Sequence, residues 1–257
     1  MLNFRNTNIF FTGILVLLIS LHIQYGLPAY TYLLLFVVYS LIVFYGCYYI
    51  RSNFFIKIVC SAKTDKKEIA ISFDDGPAAN FTPQLLQLLK TDNVKATFFC
   101  IGNRIAGNES ILKQVQEEGH IIGNHSYSHH FWFDMFSSEK MLADMKQMDA
   151  AMTNATGLQP KLFRPPYGVT NPNLKKAIIN GNYIPVGWSV RSMDTVIKDE
   201  KKLLAKITSG IKPGAVFLFH DTSHTTLQVL PQFIKEVKNR GFHIVPLDKL
   251  LHLPAYA

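Results

Sequence analysis

The stretch Glu68-Ile69-Ala70-Ile71-Ser72-Phe73-Asp74-Asp75-Gly76-Pro77 decides the fold. Its first six residues form a short apolar run bounded by turn formers, which reads as a buried strand. Two carboxylates sit at its tip. Adjacent carboxylates repel each other, and a cation between or beside them removes that penalty. Asp-Gly and Gly-Pro also form turns, so the tip taken alone reads equally as a plain turn.

Working outward, the pattern repeats. Apolar runs at 94–101, 120–124, 161–164, 183–188, 215–219 and 243–245 read as further strands. Helical periodicity at 82–91, 109–118, 137–156, 171–181, 199–209 and 226–239 separates them. Thr82-Pro83 and Asn171-Pro172 supply N-cap and first-turn signals, and Gly119 and Gly181 supply stops. Met141, Met145, Met148 and Met152 fall three or four apart and read as a core-packing stripe. Strands alternating with helices imply a parallel sheet. Seven strands within 66–252 predict an α/β domain, a small distorted (β/α)7-type barrel, with a doubly wound open sheet as the alternative.

Upstream the composition changes. The 257-residue chain holds 26 Lys and Arg against 18 Asp and Glu, a formal charge of +8, yet nothing between Arg5 and Arg51 is charged. Segments 9–25 and 30–50 are almost wholly apolar. At ~1.5 Å per residue, the second reaches roughly the ~30 Å of a bilayer core. Tyr30, Tyr32, Tyr45, Tyr48 and Tyr49 lie near helix ends, where aromatic rings favour the interface. Gln24-Tyr25-Gly26-Leu27-Pro28 reads as a tight turn. The expectation is a two-helix transmembrane hairpin at 1–52, a juxtamembrane linker at 53–65 and a globular domain at 66–252. A signal peptide over 9–21 is the alternative, but no small-x-small cleavage site follows it. A hairpin puts the N-terminus and the domain on one side. Arg51, Lys57, Lys63, Lys66 and Lys67 follow the second helix and the turn has no basic residue, which points to a cytoplasmic domain.

Several classes are excluded. Cys47, Cys60 and Cys100 form no disulfide framework and have no zinc-type spacing. From Arg51 on, the chain has an ordinary charged fraction, with no disordered or collagen-like composition. No long basic stripe supports a nucleic-acid partner, and no protein partner can be inferred.

Chemistry in βα folds sits at the C-terminal ends of strands. His125 and His129 are four apart, a spacing that suits two imidazoles on one metal if the segment turns helically. Together with one carboxylate of Asp74 and Asp75 they make a three-ligand catalytic zinc set. The other carboxylate is then free to take a proton. Arg164, in a rigid Arg-Pro-Pro-Tyr-Gly loop, suits bidentate capture of a carboxylate. His220, at the tip of an apolar strand, is a candidate general acid.

In this order the segments resemble the polysaccharide deacetylase family, the NodB-homology or carbohydrate esterase family 4 domain. Ser72-Phe-Asp-Asp-Gly76, His125-Ser-Tyr-Ser-His129 and Arg164-Pro-Pro-Tyr-Gly168 carry the resemblance, supported by Ala96-Thr-Phe-Phe99 and Gly119-His120 leading into Gly123-Asn124-His125. It covers roughly residues 66–250. It implies a distorted barrel of about seven strands, one divalent metal (zinc, with cobalt or nickel as substitutes) and hydrolysis of an N-acetyl amide. By resemblance, Asp75, His125 and His129 match the metal ligands. Asp74 matches the general base and Arg164 the residue that orients it. Tyr167 matches the backbone N–H donor to the oxyanion, Leu218 a wall of the acetyl pocket, and Asp194 the support of the general acid His220. The family's Asp-x-x-Asp-Trp motif departs here, with Arg191 for its first aspartate and Thr195 for its tryptophan. Both departures bear on the substrate.

The leading expectation is therefore an enzyme of the cell membrane, the inner membrane of a bacterium. It would deacetylate an N-acetylated glycan that contains N-acetylglucosamine, with the lipid bilayer as its other partner. The resemblance favours an extracytoplasmic site and the basic residues a cytoplasmic one. Two alternatives stand beside it: a deacetylase or deformylase of a lipid-linked amino sugar at the cytoplasmic face, and an inactive glycan-binding domain.

Overall fold

The computed structural model describes residues 2–257. It opens with two helices, α1 (Phe4–Tyr25) and α2 (Tyr30–Tyr48), packed side by side. α1 begins earlier than expected because the Asn3 side chain accepts a hydrogen bond from the Asn6 N–H and caps the end. Gly26 closes α1 in the left-handed region, at φ 65°. α2 ends at Tyr48, short of the expected residue 50, because Ile50 turns into a 3-10 turn and buries itself. Both helices are long and apolar enough to cross a membrane, and most of their large apolar side chains are exposed.

The segment expected as a linker, 53–65, is packed instead into the domain. Phe54, Phe55, Ile58 and Cys60 are buried. Val59 bridges to Val186 and Ser61 to Ala215. Four apolar side chains cannot be left in water at low cost, so the segment folds against the sheet. Gly46, in the last turn of α2, lets this happen, since a Cβ there would lie 2.2 Å from the Phe54 ring.

The domain has eight strands: β1 (Glu68–Asp74), β2 (Thr97–Cys100), β3 (Ile121–Asn124), β4 (Leu162–Phe163), β5 (Ile184–Pro185), β6 (Val190–Arg191), β7 (Val216–His220) and β8 (His243–Ile244). Between them run α3 (Thr82–Thr91), α4 (Glu109–Glu117), α5 (Ser138–Thr156), α6 (Pro172–Gly181), α7 (Glu200–Ser209) and α8 (His224–Asn239), with α9 (Leu247–Leu251) after β8. The ladders are all parallel, in the order β5-β4-β3-β2-β1-β7-β6, and β8 also pairs with the start of β1. The strand expected at 183–188 is the one real departure. It splits into β5, paired with β4, and β6, paired with β7. Pro185 lacks the N–H that would extend the β5 ladder. The continuous stretch 184–191 thus crosses from one end of the sheet to the other, and the sheet curls into a half-barrel whose two edges meet through this bent chain.

β1 lies at the centre, so its tip is flanked by β2 and β7. The main core packs Phe73, Phe98, Phe217 and Phe219 against the helices. Met141, Met145, Met148 and Met152 are fully buried along α5. The floor this makes presents the C-terminal ends of these parallel strands on one face.

Candidate active site

Asp74 ends β1 and Asp75 follows it in the left-handed region, at φ 82°. His125 follows β3 directly, and His129 comes one turn later at φ 43°. The turn is held by the Asp144 carboxylate, which accepts from the Tyr127 and Ser128 N–H groups, and by the Ser126 hydroxyl, which accepts from the His129 N–H. As a result the Nε2 atoms of His125 and His129 each lie 3.6 Å from Asp75 Oδ1. Ligands at about 2.0–2.2 Å in a tetrahedron are roughly 3.3–3.6 Å apart, so the three donor atoms fit a zinc-sized cation. Among the described residues this is the one group of three ligating side chains so arranged.

Both histidines are arranged as a metal would require. His125 Nδ1 lies 2.8 Å from the Arg164 carbonyl oxygen, which can only accept, so Nδ1 carries a proton and the neutral tautomer has its lone pair on Nε2. Burial and then the neighbouring His125 push the His129 pKa down to about 4, against the pull of Asp75. A neutral imidazole is the form that binds metal.

Asp74 is held from the other side. Arg164 is wholly buried, and its Nη1 donates to Asp74 Oδ1 and to Ser72 Oγ, both at 2.7 Å. Nη2 donates to the Gly187 carbonyl and Nε to that of Val186, while the guanidinium stacks 4.0 Å from the Phe99 ring centre. Burial lowers the arginine pKa and Asp74 opposes it. Such a charge persists only because each partner is present. Arg164 therefore faces one carboxylate oxygen and two carbonyls, a monodentate grip on Asp74 where the sequence suggested a bidentate one. Asp74 Oδ2 is left 3.7 Å from His125 Nε2, beside the ligand cluster.

His220 ends β7, in register with Asp74 on the adjacent strand. Its Nδ1 lies 2.7 Å from Asp194 Oδ1, and Asp194 Oδ2 accepts from the His220 backbone N–H at 2.7 Å and from the Thr226 hydroxyl. Burial alone would lower the His220 pKa. The hydrogen bond and charge of Asp194, with Asp74 and Asp75 behind, outweigh it and raise the net value. Burial would likewise raise the Asp194 pKa, but His220 and Thr226 lower it overall.

Asp74, Asp75, His125, His129 and His220, with Pro165, Tyr167, Gly168, Trp188, Arg191, Thr195 and Leu218, line one cavity of about 220 Å³. Tyr167 sits at φ 59° in a tight turn, its ring 4.7 Å from that of His129. A left-handed aromatic residue costs about 1–3 kcal/mol, and the two prolines before it impose the turn. Arg191 is exposed at the rim beside Leu218, its guanidinium 5.8 Å from the Trp188 ring centre. Thr195 is also exposed.

Four contributors escaped sequence reasoning. Trp188 lines the cavity and packs on Gly168. Ser72 braces Arg164. Arg104 donates to the Asp75 carbonyl. Asp221 is buried with Oδ1 unpartnered, and burial, aided by Asp75 and Asp74, pushes its pKa up to about 7. The expected cap Thr82 serves it: the Thr82 hydroxyl donates to Asp221 Oδ2 and accepts from the Ala78 N–H, while Phe81 takes the cap position. Only glycine fits at Gly76, since a Cβ would lie 1.9 Å from Asp221 Oδ2. Asp221 was visible beside His220, but its partner lies 139 positions away, out of reach of any local pattern.

Residues 61–184 match the polysaccharide deacetylase family model. A peptidoglycan-N-acetylglucosamine deacetylase of Bacillus cereus is 34% identical over 194 residues, covering 74% of this chain and 70% of that protein. The deacetylase PgdA of Listeria monocytogenes is 34% identical over 203 residues, 79% of this chain, but the chain spans only 42% of its length. The solved peptidoglycan N-acetylglucosamine deacetylase Bc1960 superimposes with a TM-score of 0.73 at 30% identity, covering 78% of this chain and 95% of that one. The chain belongs to the polysaccharide deacetylase family, carbohydrate esterase family 4.

Proposed function

We propose that this protein is a membrane-anchored, metal-dependent deacetylase that hydrolyses the N-acetyl amide of an amino sugar, N-acetylglucosamine foremost, in a cell-envelope glycan. One observation carries the reading. The Asp75, His125 and His129 donors converge between a carboxylate held by a buried arginine and an imidazole held by a buried aspartate. A candidate base and a candidate acid thus line the same cavity as the three donors, as amide hydrolysis requires.

Asp75, His125 and His129 would hold the divalent cation, zinc by its ligand set, which when bound supplies Lewis-acid polarisation and acidifies water. Asp74 takes the proton of the water that attacks the acyl carbon, with Arg164 fixing its orientation. The Tyr167 N–H donates to the oxyanion that develops. Leu218 and Trp188 wall the space for the acetyl methyl. His220 Nε2 then gives its proton to the departing nitrogen as the C–N bond breaks, while Asp194 holds Nδ1 and stabilises the imidazolium. The products are acetate and a free amine.

α1 and α2 would span the bilayer as a hairpin, since helices of 22 and 19 residues reach about 33 and 28 Å. A second reading concerns the side. Arg5, Arg51 and Lys57 all lie at the domain end of the hairpin, and the turn Gly26–Ala29 carries no charge. That pattern favours a cytoplasmic domain acting on a lipid-linked amino sugar. The relatives named for peptidoglycan favour the outer face.

The test of the reaction is acetate release by the purified, zinc- or cobalt-loaded chain from N-acetylglucosamine oligomers, peptidoglycan and lipid-linked sugars. Activity lost in Asp74→Asn is expected; no release from any of them overturns the reading, and formate in place of acetate would reassign the acyl group. A reporter fused at the C-terminus, active on one side only, decides the side.

A further inference from the structure

Outside the hairpin and its exit, six large apolar side chains are strongly exposed: Phe131, Trp132, Met135, Tyr167, Ile179 and Val196. Three of them occupy one five-residue loop directly after the ligand His129, and a fourth, Tyr167, packs on His129. Exposures of 70%, 58% and 72% for Phe131, Trp132 and Met135 mean that this loop turns its apolar groups out while Phe133 between them is buried. Scattered apolar residues need no explanation, but a cluster beside a catalytic mouth does.

The same loop is tied to the end of α2. The Asn171 side chain donates to the Asp134 carbonyl at 2.6 Å, and Asn173 to that of Phe136 at 3.1 Å. The adjoining Thr170 donates from its N–H to the Cys47 carbonyl at 3.0 Å and from its hydroxyl to the Gly46 carbonyl at 3.1 Å. One short chain of contacts therefore runs from the last turn of α2, through the loop that carries Tyr167, to the exposed aromatic pair. No free linker separates the hairpin from the domain, because the chain is buried again at Ile50. The domain cannot swing its mouth away from the plane where α2 ends.

We propose that Phe131, Trp132 and Met135 form a second membrane contact, seated in the headgroup and upper acyl region of the bilayer that α1 and α2 enter. The occupant of this surface is a lipid bilayer, argued from its continuity with the end of α2 and from its residue types. Phe131 and Trp132 stack edge to face at 4.8 Å, a preformed wedge, and an indole suits the interface by having an apolar body and one polar N–H. Arg51 and Lys57 are exposed at the α2 exit, where they meet anionic headgroups. With three points of attachment the cavity opens at the membrane surface. The acetamido group it takes must lie there too, on a sugar carried by a lipid or on the glycan nearest the bilayer.

This inference rests on the hairpin reading, and the experiment separates the two. The full chain carries two tryptophans, Trp132 and Trp188. It is reconstituted in nanodiscs of phosphatidylglycerol and phosphatidylcholine, with either ordinary acyl chains or chains dibrominated near the headgroup. Brominated lipid is expected to remove roughly half of the total emission, because an interfacial indole lies within reach of the bromines. That quenching should vanish in Trp132→Phe, with an unchanged thermal melt showing that the variant is folded. A second variant, Trp132→Ser with Met135→Ser, should deacetylate soluble N-acetylglucosamine oligomers at the wild-type rate but a disc-embedded N-acetylglucosaminyl lipid several-fold more slowly. Protein that stays in the discs yet shows equal quenching in wild type and Trp132→Phe overturns the surface and leaves the hairpin standing. Protein that does not co-purify with the discs overturns the hairpin and the surface with it.

Discussion

The floor of the cavity and its rim are built differently. On the floor, Arg164 and Asp194 are fully buried, Asp74 and His125 nearly so, and each polar group has a partner that is itself held. At the rim, Arg191 and Thr195 are exposed, and neither guanidinium nor hydroxyl has a hydrogen-bond or ion-pair partner among the described residues. A floor braced in this way is costly to change, because removing one partner strands another in a low-dielectric site. A rim open to water can change at little cost to the fold. The reaction is therefore written in the floor and the choice of substrate in the rim.

The largest effect that could break this contrast lies at the ligand cluster. His125→Ala, Asp75→Ala or a chelator should each abolish acetate release, and added zinc should restore only the chelated wild type. Asp74→Asn should keep the metal, measured by its content, and still lose about 10³-fold in kcat. A rim-sized loss from Asp74→Asn would mean that base and ligand roles are not divided between the two carboxylates.

The next effect concerns pH. His220 is raised above its ordinary value by Asp194, so its proton is kept as pH rises past about 6.5. The alkaline limb of kcat/KM should lie above that point in the wild type. In Asp194→Asn the attraction is gone and burial remains, so the limb should move below it. Activity at pH 8 should fall by about 10²-fold, with less loss at pH 6. Stability follows the same sign: the His220–Asp194 pair stabilises the fold fully below about 6.5, and its contribution fades as pH rises through the higher folded value. A pH profile that only scales down, without moving, would assign Asp194 a purely structural role.

The floor was also the legible part. Asp74, His125, Arg164 and His220 each follow an apolar run, so those strand tips could be found locally and their chemistry assembled from residue types, whereas Asp194 entered only through the family resemblance. The two long apolar helices were legible for the same reason, as an uncharged run. What stayed hidden depends on contacts between distant segments. Segment 53–65 looked like a linker because its partners, Val186, Gly187 and Ala215, lie more than a hundred residues on. The split of 184–191 depends on β4 and β7 competing for one stretch of chain. Trp188, two residues before β6, looked like part of a buried strand until that bend turned it into the cavity.

At the rim the effects shrink. Arg191 adds a positive charge beside a cavity whose floor is rich in carboxylate, and its stacking on Trp188 leaves the N–H groups free for an anion. Arg191→Glu should lower kcat/KM roughly fivefold for a substrate bearing a phosphate or carboxylate next to the acetylated sugar, an exposed pair being worth at most about 1 kcal/mol. The loss should shrink with added salt. A neutral oligomer should be hydrolysed unchanged; if it too slows, Arg191 serves the floor.

The smallest effect is at Thr195. It takes the position where the related motif carries a tryptophan, and as an exposed threonine it leaves that side of the acetyl pocket open. Trp188 already packs on Gly168, so it walls the cavity while the Thr195 side has no aromatic ring of its own. Thr195→Trp should close the gap. Because nothing buried is disturbed, kcat for the N-acetyl substrate should stay within about twofold, while the preference for acetyl over propionyl should rise by roughly three- to fivefold, below the ~1–3 kcal/mol that a fitted apolar pocket gains per methylene. Competition between N-acetyl and N-propionyl glucosamine oligomers measures that ratio directly. A ratio that does not move would place the acyl group against Trp188 and Leu218 alone, and the open side would then belong to the sugar.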